Sequence, residues 1–462
     1  MLKICKKIGI SVLTATLLTS IVSGCGGGKQ VGVAQTGTAQ AGTSSAKPVT
    51  ITVMQQNSPD YVYFTNIGKE FTKLHPNVTV KFIGVPYDQF DSKLQTMIAS
   101  GTQPDITTHV QLMGFMDYYN KGLLTDLTPY IQKYNFDYKK DNIPDNVMDM
   151  AKVDGKQWGI PLNSFTTVMM YNKDIFDKAG IAYPPSDYND KSWTFDKMVE
   201  VAKKLTSGSG QNKTYGLYWS WNGGGAMQDP DYFGASVFPT DTAKTGRATS
   251  NNFSQSAVIN AYQRIADLTF KDKISPTPAF VSALAGSNSS DPFLSGKIAM
   301  EVQAAWGLAG INDVSFKVGV AAVPINPNSK IRNVLYTDPY FVLKGSKCPD
   351  EAFQFLAFLA QTDNQIKMIQ QSGGQPPTNL GALDTYYNNF KTIDEQDLKN
   401  VIAGSYQYGE EDLEHMIVGS GQIHELLQNE LSPVNDGTKT AQSVCVPLEK
   451  KLNDILKDIN KK

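Results

Sequence analysis

The feature that most constrains the fold is a switch between two apolar periods from Val49 to Val85. In "VTITVM" the residues Val49, Ile51 and Val53 recur at every second position, as a half-buried strand requires. Phe64, Ile67, Phe71 and Leu74 then recur at helical spacing until Pro76, which has no N–H to continue a helix. "VTVKFIGV" returns to alternation. A strand, a helix and a strand in this order predict parallel strands joined by a crossover, with helices covering the sheet.

The alternation continues along the chain. "YDQFDSKLQTMIASG" carries Phe90, Leu94, Met97 and Ile98 on a helical stripe with a stop at Gly101, and Pro104-Asp105-Ile106 leads into a short strand. Thr194 is placed to cap a helix whose Phe195, Met198, Val199, Ala202 and Leu205 face inward. Pro349, Asp350 and Glu351 occupy the first turn ahead of "AFQFLAFLA", a helix apolar nearly all round and so deeply buried. There is no short repeat and no run of like charges. The fold class is therefore α/β, and the about 415 residues from Pro48 onward are enough for two lobes. Gly and Pro cluster near 184–192, 207–213, 222–230 and 373–377, which predicts surface loops.

The N-terminus reads as an export signal. Lys3, Lys6 and Lys7 precede an apolar run from Ile8 to Val22, shorter than the roughly 20 residues a membrane span needs, and small residues follow. Val22-Ser23-Gly24-Cys25 resembles the lipobox of bacterial lipoproteins, in which the cysteine receives a diacylglyceryl group and becomes the new N-terminus. Two acyl chains give stable anchoring. The expectation is a signal peptide over 1–24, lipidation at Cys25, and a flexible tether over 25–47, polar and without apolar period. Its 22 residues from Gly26 to Lys47 would span roughly 25 Å.

Charge and cysteine content exclude several classes. Removing the three signal lysines from 42 basic residues leaves 39 against 44 acidic ones, which argues against nucleic acid as a partner. Only Cys348 and Cys445 remain beside the anchor; they are too few for a disulfide scaffold, and both read as small buried hydrophobes.

Catalytic motifs fail on inspection. "GSGQNKT" at 208–214 has Asn212 where a phosphate-binding loop needs Gly before the Lys. "HELLQ" begins like a zinc-protease helix at His424, but Gln428 stands where the second histidine belongs. His75, His109, His415 and His424 show no metal-ligand spacing, and there is no Gly-x-Ser-x-Gly elbow. No catalytic residue, metal ligand or cofactor is expected. Paired glycosidase carboxylates are separated in space rather than in sequence, so an exported polysaccharide-active enzyme stays open as an alternative.

The most informative string is "GKQWGIPLNSFTTVMMYNKDIFDKAGIAYPP", residues 155–185, followed by "WTFDKMVEVAKKLT". It resembles the central block of the family 1 extracellular solute-binding proteins, the group that includes maltose-binding protein and serves ATP-driven sugar importers. "MIASGTQPDI", "FLSGKIAMEVQAAW" and "EAFQFLAFLAQTDNQ" with "GGQPPTN" resemble further family blocks in the same order. The resemblance implies a two-lobed periplasmic-binding-protein-like α/β fold with hinge strands and an interlobe ligand cleft. It places lobe crossings near Leu162–Thr166, near Val334–Asp338 and around Pro377–Phe390. The expected lobes are 48–164 plus 338–385, and 165–337 plus 386–462.

A sugar offers apolar C–H faces and a ring of hydroxyls, so its site needs aromatic platforms and side chains that donate and accept. Trp306 matches the family tryptophan that stacks on sugar in relatives. "YWSWNGGG" puts Trp219 and Trp221 on one side of an extended segment, one to stack and the other to pack, with Asp229 just beyond. The loop after the first strand offers Gln55, Asn57, Asp60 and Tyr61 at the strand's carboxyl end, where open α/β sheets bind ligands. By resemblance, His109 and Gln111 fall on family ligand positions, and Asn163 and Phe165 lie at the hinge. Gln303, Tyr336, Asp338 and Gln375 complete the candidate set.

These readings converge on a carbohydrate-binding lipoprotein, extracytoplasmic and anchored to the outer face of the cell membrane. It is expected to act as a monomer that delivers a sugar or oligosaccharide to the permease subunits of an ABC importer. The alternative within binding is a non-sugar solute such as a polyol phosphate, for which clustered Arg or Lys would be expected. Arg247, Arg264 and Arg332 are scattered.

Overall fold

The computed structural model describes residues 47–57, 60–111, 113–220, 227–285, 291–372 and 376–461. The lipobox with Cys25, and the tether up to residue 46, lie outside the described residues, as do Trp221 and Gln375.

The first strand, helix and strand form as their periods dictate. β1 (Val49–Gln56) and β2 (Val78–Val85) pair in parallel across α1 (Asp60–Leu74). Phe64, Ile67 and Phe71 are buried, but Leu74, on the same stripe, is 66 % exposed at the helix end, where the sheet no longer covers it. α2 (Phe90–Ala99) ends before Gly101, whose φ of +68° is the left-handed turn that glycine adopts without penalty. β3 (Ile106–Thr107) joins β1 through Asp105, which accepts hydrogen bonds from the backbone N–H of Thr52 at 2.7 Å and from its hydroxyl at 2.9 Å. α3 (Phe115–Asn120) follows.

The 13-residue strand β4 (Ile160–Asn172) is buried along its whole length. Beyond it come α4 (Phe195–Leu205), β5 (Tyr218–Trp219), α5 (Asp229–Tyr232) and α6 (Ser256–Phe270). Thr194 caps α4, accepting from the Lys197 N–H at 3.2 Å. β6 (Met300–Ala304), β7 (Val318–Ala321) and β8 (Asn333–Val342) complete the central strands. Then follow α7 (Pro349–Ala360), β9 (Gly409–Glu411), α8 (Leu413–Met416), α9 (Ser420–Asn435) and α10 (Ala441–Ile459).

Among the described residues the main sheet runs β2-β1-β3-β8-β4-β6-β5, with β9 beside β8 and β7 beside β4. Its two halves meet on β4 and β8. Residues 160–166 of β4 pair antiparallel with β8, and residues 167–172 pair with β6 and β7. The far end of β8 pairs with β3. A third segment touches the junction where Asn163 bridges Pro377.

One apolar core surrounds β4, β6 and β7, and another lies between β1, α1 and α7. A third joins Phe90, Phe115, Met116 and Tyr118 to Ile259, Ile417, Ile423 and Leu448, so α2 and α3 share a core with α6, α9 and α10. α7 buries Phe353, Phe355, Leu356 and Leu359 completely. Cys348 and Cys445 are free and buried.

Two of the Gly/Pro clusters differ from the loop expectation. Residues 229–232 form a short helix with Pro230, Asp231 and Tyr232 buried, and Pro376 and Pro377 are buried against β4. Proline and glycine report a change of chain direction; they do not report what packs on the turn.

Candidate ligand-binding site

The register between β4 and β8 decides the site. Phe165 stands opposite Tyr336, and Asn163 opposite Asp338. Residues two apart on a strand share a side, so these four side chains form one face, while Ser164 and Thr337 turn to the other with their hydroxyls 2.8 Å apart. Trp306 sits in the single turn after β6 and closes over the apolar half, its ring centroid 5.5 Å from that of Phe165 and 4.9 Å from that of Tyr336. It is 39 % exposed, so the indole keeps an accessible face.

The polar half is a connected network. Asn163 Nδ2 donates to Asp338 Oδ2 at 3.2 Å, and His109 Nε2 lies 3.1 Å from Asp338 Oδ1. His109 is buried and stacks on His415 with ring centroids 4.3 Å apart; Nε2 of His415 meets the carbonyl of Gln111 at 2.9 Å. Burial holds His415 below the ordinary imidazole value, and the charge of His109 acts the same way against the opposing pull of Asp412.

Carboxylates act on this part of β8 from β9 and α5, Glu411 from the Thr337 side of the sheet and Asp412 and Asp229 through their charge on Tyr336. The Thr337 N–H donates to Glu411 Oε1 at 2.9 Å and its hydroxyl to Oε2 at 3.1 Å, while the Asp412 N–H donates to Leu335 O at 2.8 Å. These bonds tie Glu411 and Asp412 to the residues on either side of Tyr336. Burial first, and then Asp412, Asp229 and Glu411, push the Tyr336 phenol up. Burial pushes Asp229 up to about 7 and raises Glu411 and Asp412. The Tyr336 hydroxyl is buried and has no hydrogen-bond partner among the described residues; the same holds for His109 Nδ1. An unpaired buried polar atom costs about 1–3 kcal/mol, which a polar guest would offset.

The structure therefore brings Trp306, Phe165, Tyr336, Asn163, Asp338 and His109 together, while Asp229 is half-buried at the start of α5. Gln303 is buried beneath the turn that carries Trp306, where its Nε2 donates to Asp291 Oδ2 at 2.7 Å. Gln111 turns its side chain to α2, accepting from the Asp91 N–H at 3.1 Å. Gln55 is buried against Tyr340, its Nε2 2.8 Å from the phenol oxygen, and Asn57 is exposed. Asp60 and Tyr61 open α1.

Trp219 does not join the face. It is 8 % exposed within the core around β4, with Phe195 at 5.5 Å and Tyr232 at 4.9 Å, so it is the packing member of its pair. Sequence reasoning also missed Glu411, Asp412 and His415. The signal was the acidic triplet Glu410-Glu411-Asp412, which by itself looks like a solvated turn.

Comparison with known proteins agrees with this architecture. The chain is 27 % identical over 349 residues to the Brucella abortus (strain 2308) protein BAB2_0491, covering 75 % of this chain and 80 % of that one. It is 26 % identical over 278 residues to the sn-glycerol-3-phosphate-binding periplasmic protein UgpB of Rhizobium meliloti (strain 1021), covering 58 % of this chain and 61 % of UgpB. Among solved structures it resembles the ABC substrate-binding protein Lmo0181 of Listeria monocytogenes in complex with cycloalternan. That match has a TM-score of 0.74 and 26 % identity, and it covers 89 % of this chain and 99 % of Lmo0181. The fold is thus the two-lobed α/β type expected from the sequence. Residues 56–366 match the family described as bacterial extracellular solute-binding protein, and the chain belongs to that family.

Proposed function

We propose that the protein is the carbohydrate receptor of an ABC importer, held to the outer face of the cell membrane by a diacylglyceryl group on Cys25. It captures a sugar or oligosaccharide and hands it to the permease subunits. The observation that carries this reading is the accessible indole face of Trp306, next to Phe165 and Tyr336 and bordered by Asn163, Asp338 and His109. An aromatic face suits the C–H side of a pyranose, and the polar border suits its hydroxyls. The likeness to a protein solved with cycloalternan supports the same class of ligand.

In this reading the lobes 48–164 plus 338–385 and 165–337 plus 386–462 close about β4 and β8. A guest touching both lobes stabilises the closed form by its differential affinity, and the permease reads that form. The protein acts as a monomer and makes or breaks no bond in the ligand.

A thermal-shift panel of mono- and oligosaccharides on the purified protein tests the reading. A cognate sugar at 100 times its dissociation constant should add roughly 2.7 kcal/mol. A panel that is silent for saccharides but positive for another class of solute would overturn it. For the anchor, labelled palmitate should enter the wild type and not Cys25→Ala; equal labelling of the two would remove that part of the proposal.

A further inference from the structure

Gln303 stands on β6 opposite Val168 of β4, next to the last residue of the strand before the turn of Trp306. Its side chain is 6 % exposed, and a carboxamide so deeply buried destabilises the fold unless its hydrogen bonds are made. Nε2 donates to Asp291 Oδ2 at 2.7 Å. Asp291 is itself held, because Oδ1 accepts from the N–H of Phe293 at 2.8 Å and from that of Leu294 at 3.3 Å. The Phe293 ring is fully buried and packs on Phe316 with centroids 5.5 Å apart. A fixed acceptor thus fixes the carboxamide.

The same carboxamide supports Gly307. A Cβ on Gly307 would lie 2.2 Å from Gln303 Nε2 and 2.3 Å from Cδ, so the backbone beside Trp306 rests directly on the amide, and only glycine leaves room for it. Trp306 is the preceding residue, and its ring meets those of Phe165 and Tyr336. The turn closes where the Ala309 N–H donates to Trp306 O at 3.0 Å. That bond sets the shape of the turn; the support beneath it sets the tilt of the indole.

We infer that Gln303 and Asp291 are positioning residues for ligand capture: the carboxamide, held by Asp291, seats the turn of Trp306 and Gly307 and so fixes the indole face on which the ligand stacks. This rests on the carbohydrate reading above. Gln303 acts through Trp306 rather than on the ligand. The orientation matters because a gap of about 0.5–1 Å already forfeits a quarter to a half of the dispersion attraction between two surfaces.

Two variants disturb the seat in different ways. Gln303→Met keeps the volume and removes the donor, whereas Gly307→Ala displaces the flexible end of Gln303 and leaves the donor in place. The Trp306 signal is the fluorescence difference between each protein and the same protein carrying Trp306→Phe, read without sugar. Both variants should raise its quenching by acrylamide. Both should weaken a saccharide found by thermal shift about tenfold, the equivalent of one hydrogen bond to a charged acceptor. Asp291→Ala should do the same. Asp291→Asn should rescue both readouts, because the Gln303 amide can turn over to accept from the new Nδ2 while Oδ1 keeps the Phe293 N–H. A Trp306 signal or an affinity that stays at the wild-type value in both variants would overturn the assignment, even where urea shows lost stability, and so would failure of the rescue. Raised quenching in a protein that binds no saccharide of the panel defeats the carbohydrate reading and supports the positioning role.

Discussion

The carboxylate of Asp117, on α3, accepts hydrogen bonds from the Gly419 N–H at 2.6 Å and from the Ser420 hydroxyl at 2.9 Å. It thereby neutralises the positive end of α9, a 16-residue helix, while Ser420 Oγ accepts from the Gly114 N–H at 3.1 Å. α3 and α9 also share an apolar core through Phe115, Tyr118, Ile423 and Leu427, so the clasp is part of that packing. Hydrogen bonds to a charged group contribute about 1.5–3 kcal/mol. Asp117→Ala should therefore lower the stability of the fold by at least about 1.5 kcal/mol. Urea denaturation checks this, and an unchanged midpoint would show that the clasp does not support the packing of α3 on α9.

The two described tryptophans of the candidate set should separate by their environments. Trp306→Ala removes a partly exposed ring; it should lower saccharide affinity by roughly 2 kcal/mol while leaving the melting temperature nearly unchanged. Trp219→Ala empties a core position and should cost about 3–5 kcal/mol of stability. Calorimetric titration and chemical denaturation of the two variants give the comparison. A large stability loss in Trp306→Ala would mark it as a core residue.

Asp229 makes stability depend on pH in a defined direction. Its folded-state value of about 7 lies above the ordinary 3.8, so the folded protein holds a proton that the unfolded chain has released. That contribution is complete at low pH and is lost as pH rises from about 4 through about 7. Asp231, pushed up to about 8 by burial, acts in the same sense, whereas His415 and His424, lowered by burial, oppose it below about 6.5. The difference between wild type and Asp229→Asn isolates the first group. The variant should gain stability relative to wild type on going from pH 5 to pH 8, as measured by urea denaturation; a constant difference would exclude the assigned titration.

Gly216 allows α4 to approach the sheet. A Cβ there would lie 1.9 Å from the carbonyl oxygen of Ala202, a backbone atom that cannot rotate away. Gly216→Ala should cost at least about 1–3 kcal/mol through overpacking, and the strain should pass to β5, two residues on. Denaturation midpoints check the cost. A neutral result would mean that α4 shifts freely, against the buried contacts of Met198, Ala202 and Leu205.

Much of the fold is legible locally. The β1-α1-β2 unit, the Thr194 cap and the buried helix α7 all follow from apolar period and capping chemistry within a dozen residues. Leu74 escapes this logic because a stripe predicts which side of a helix faces inward, not where the covering sheet ends. Trp219 and Trp306 are the same residue type in similar apolar contexts; their burial differs because α4 and α5 cover one and not the other.

By itself the sequence determined the order of strands and helices, and through its ordered blocks the family, because both are written in neighbouring residues. Only the tertiary structure decided that Asn163 and Phe165 would face Tyr336 and Asp338, and that Glu411 and Asp412 would bond the backbone on either side of Tyr336. Those partners are far apart along the chain, and their meeting depends on strand register and on which surfaces exclude water. Neither property is carried by a short stretch of sequence.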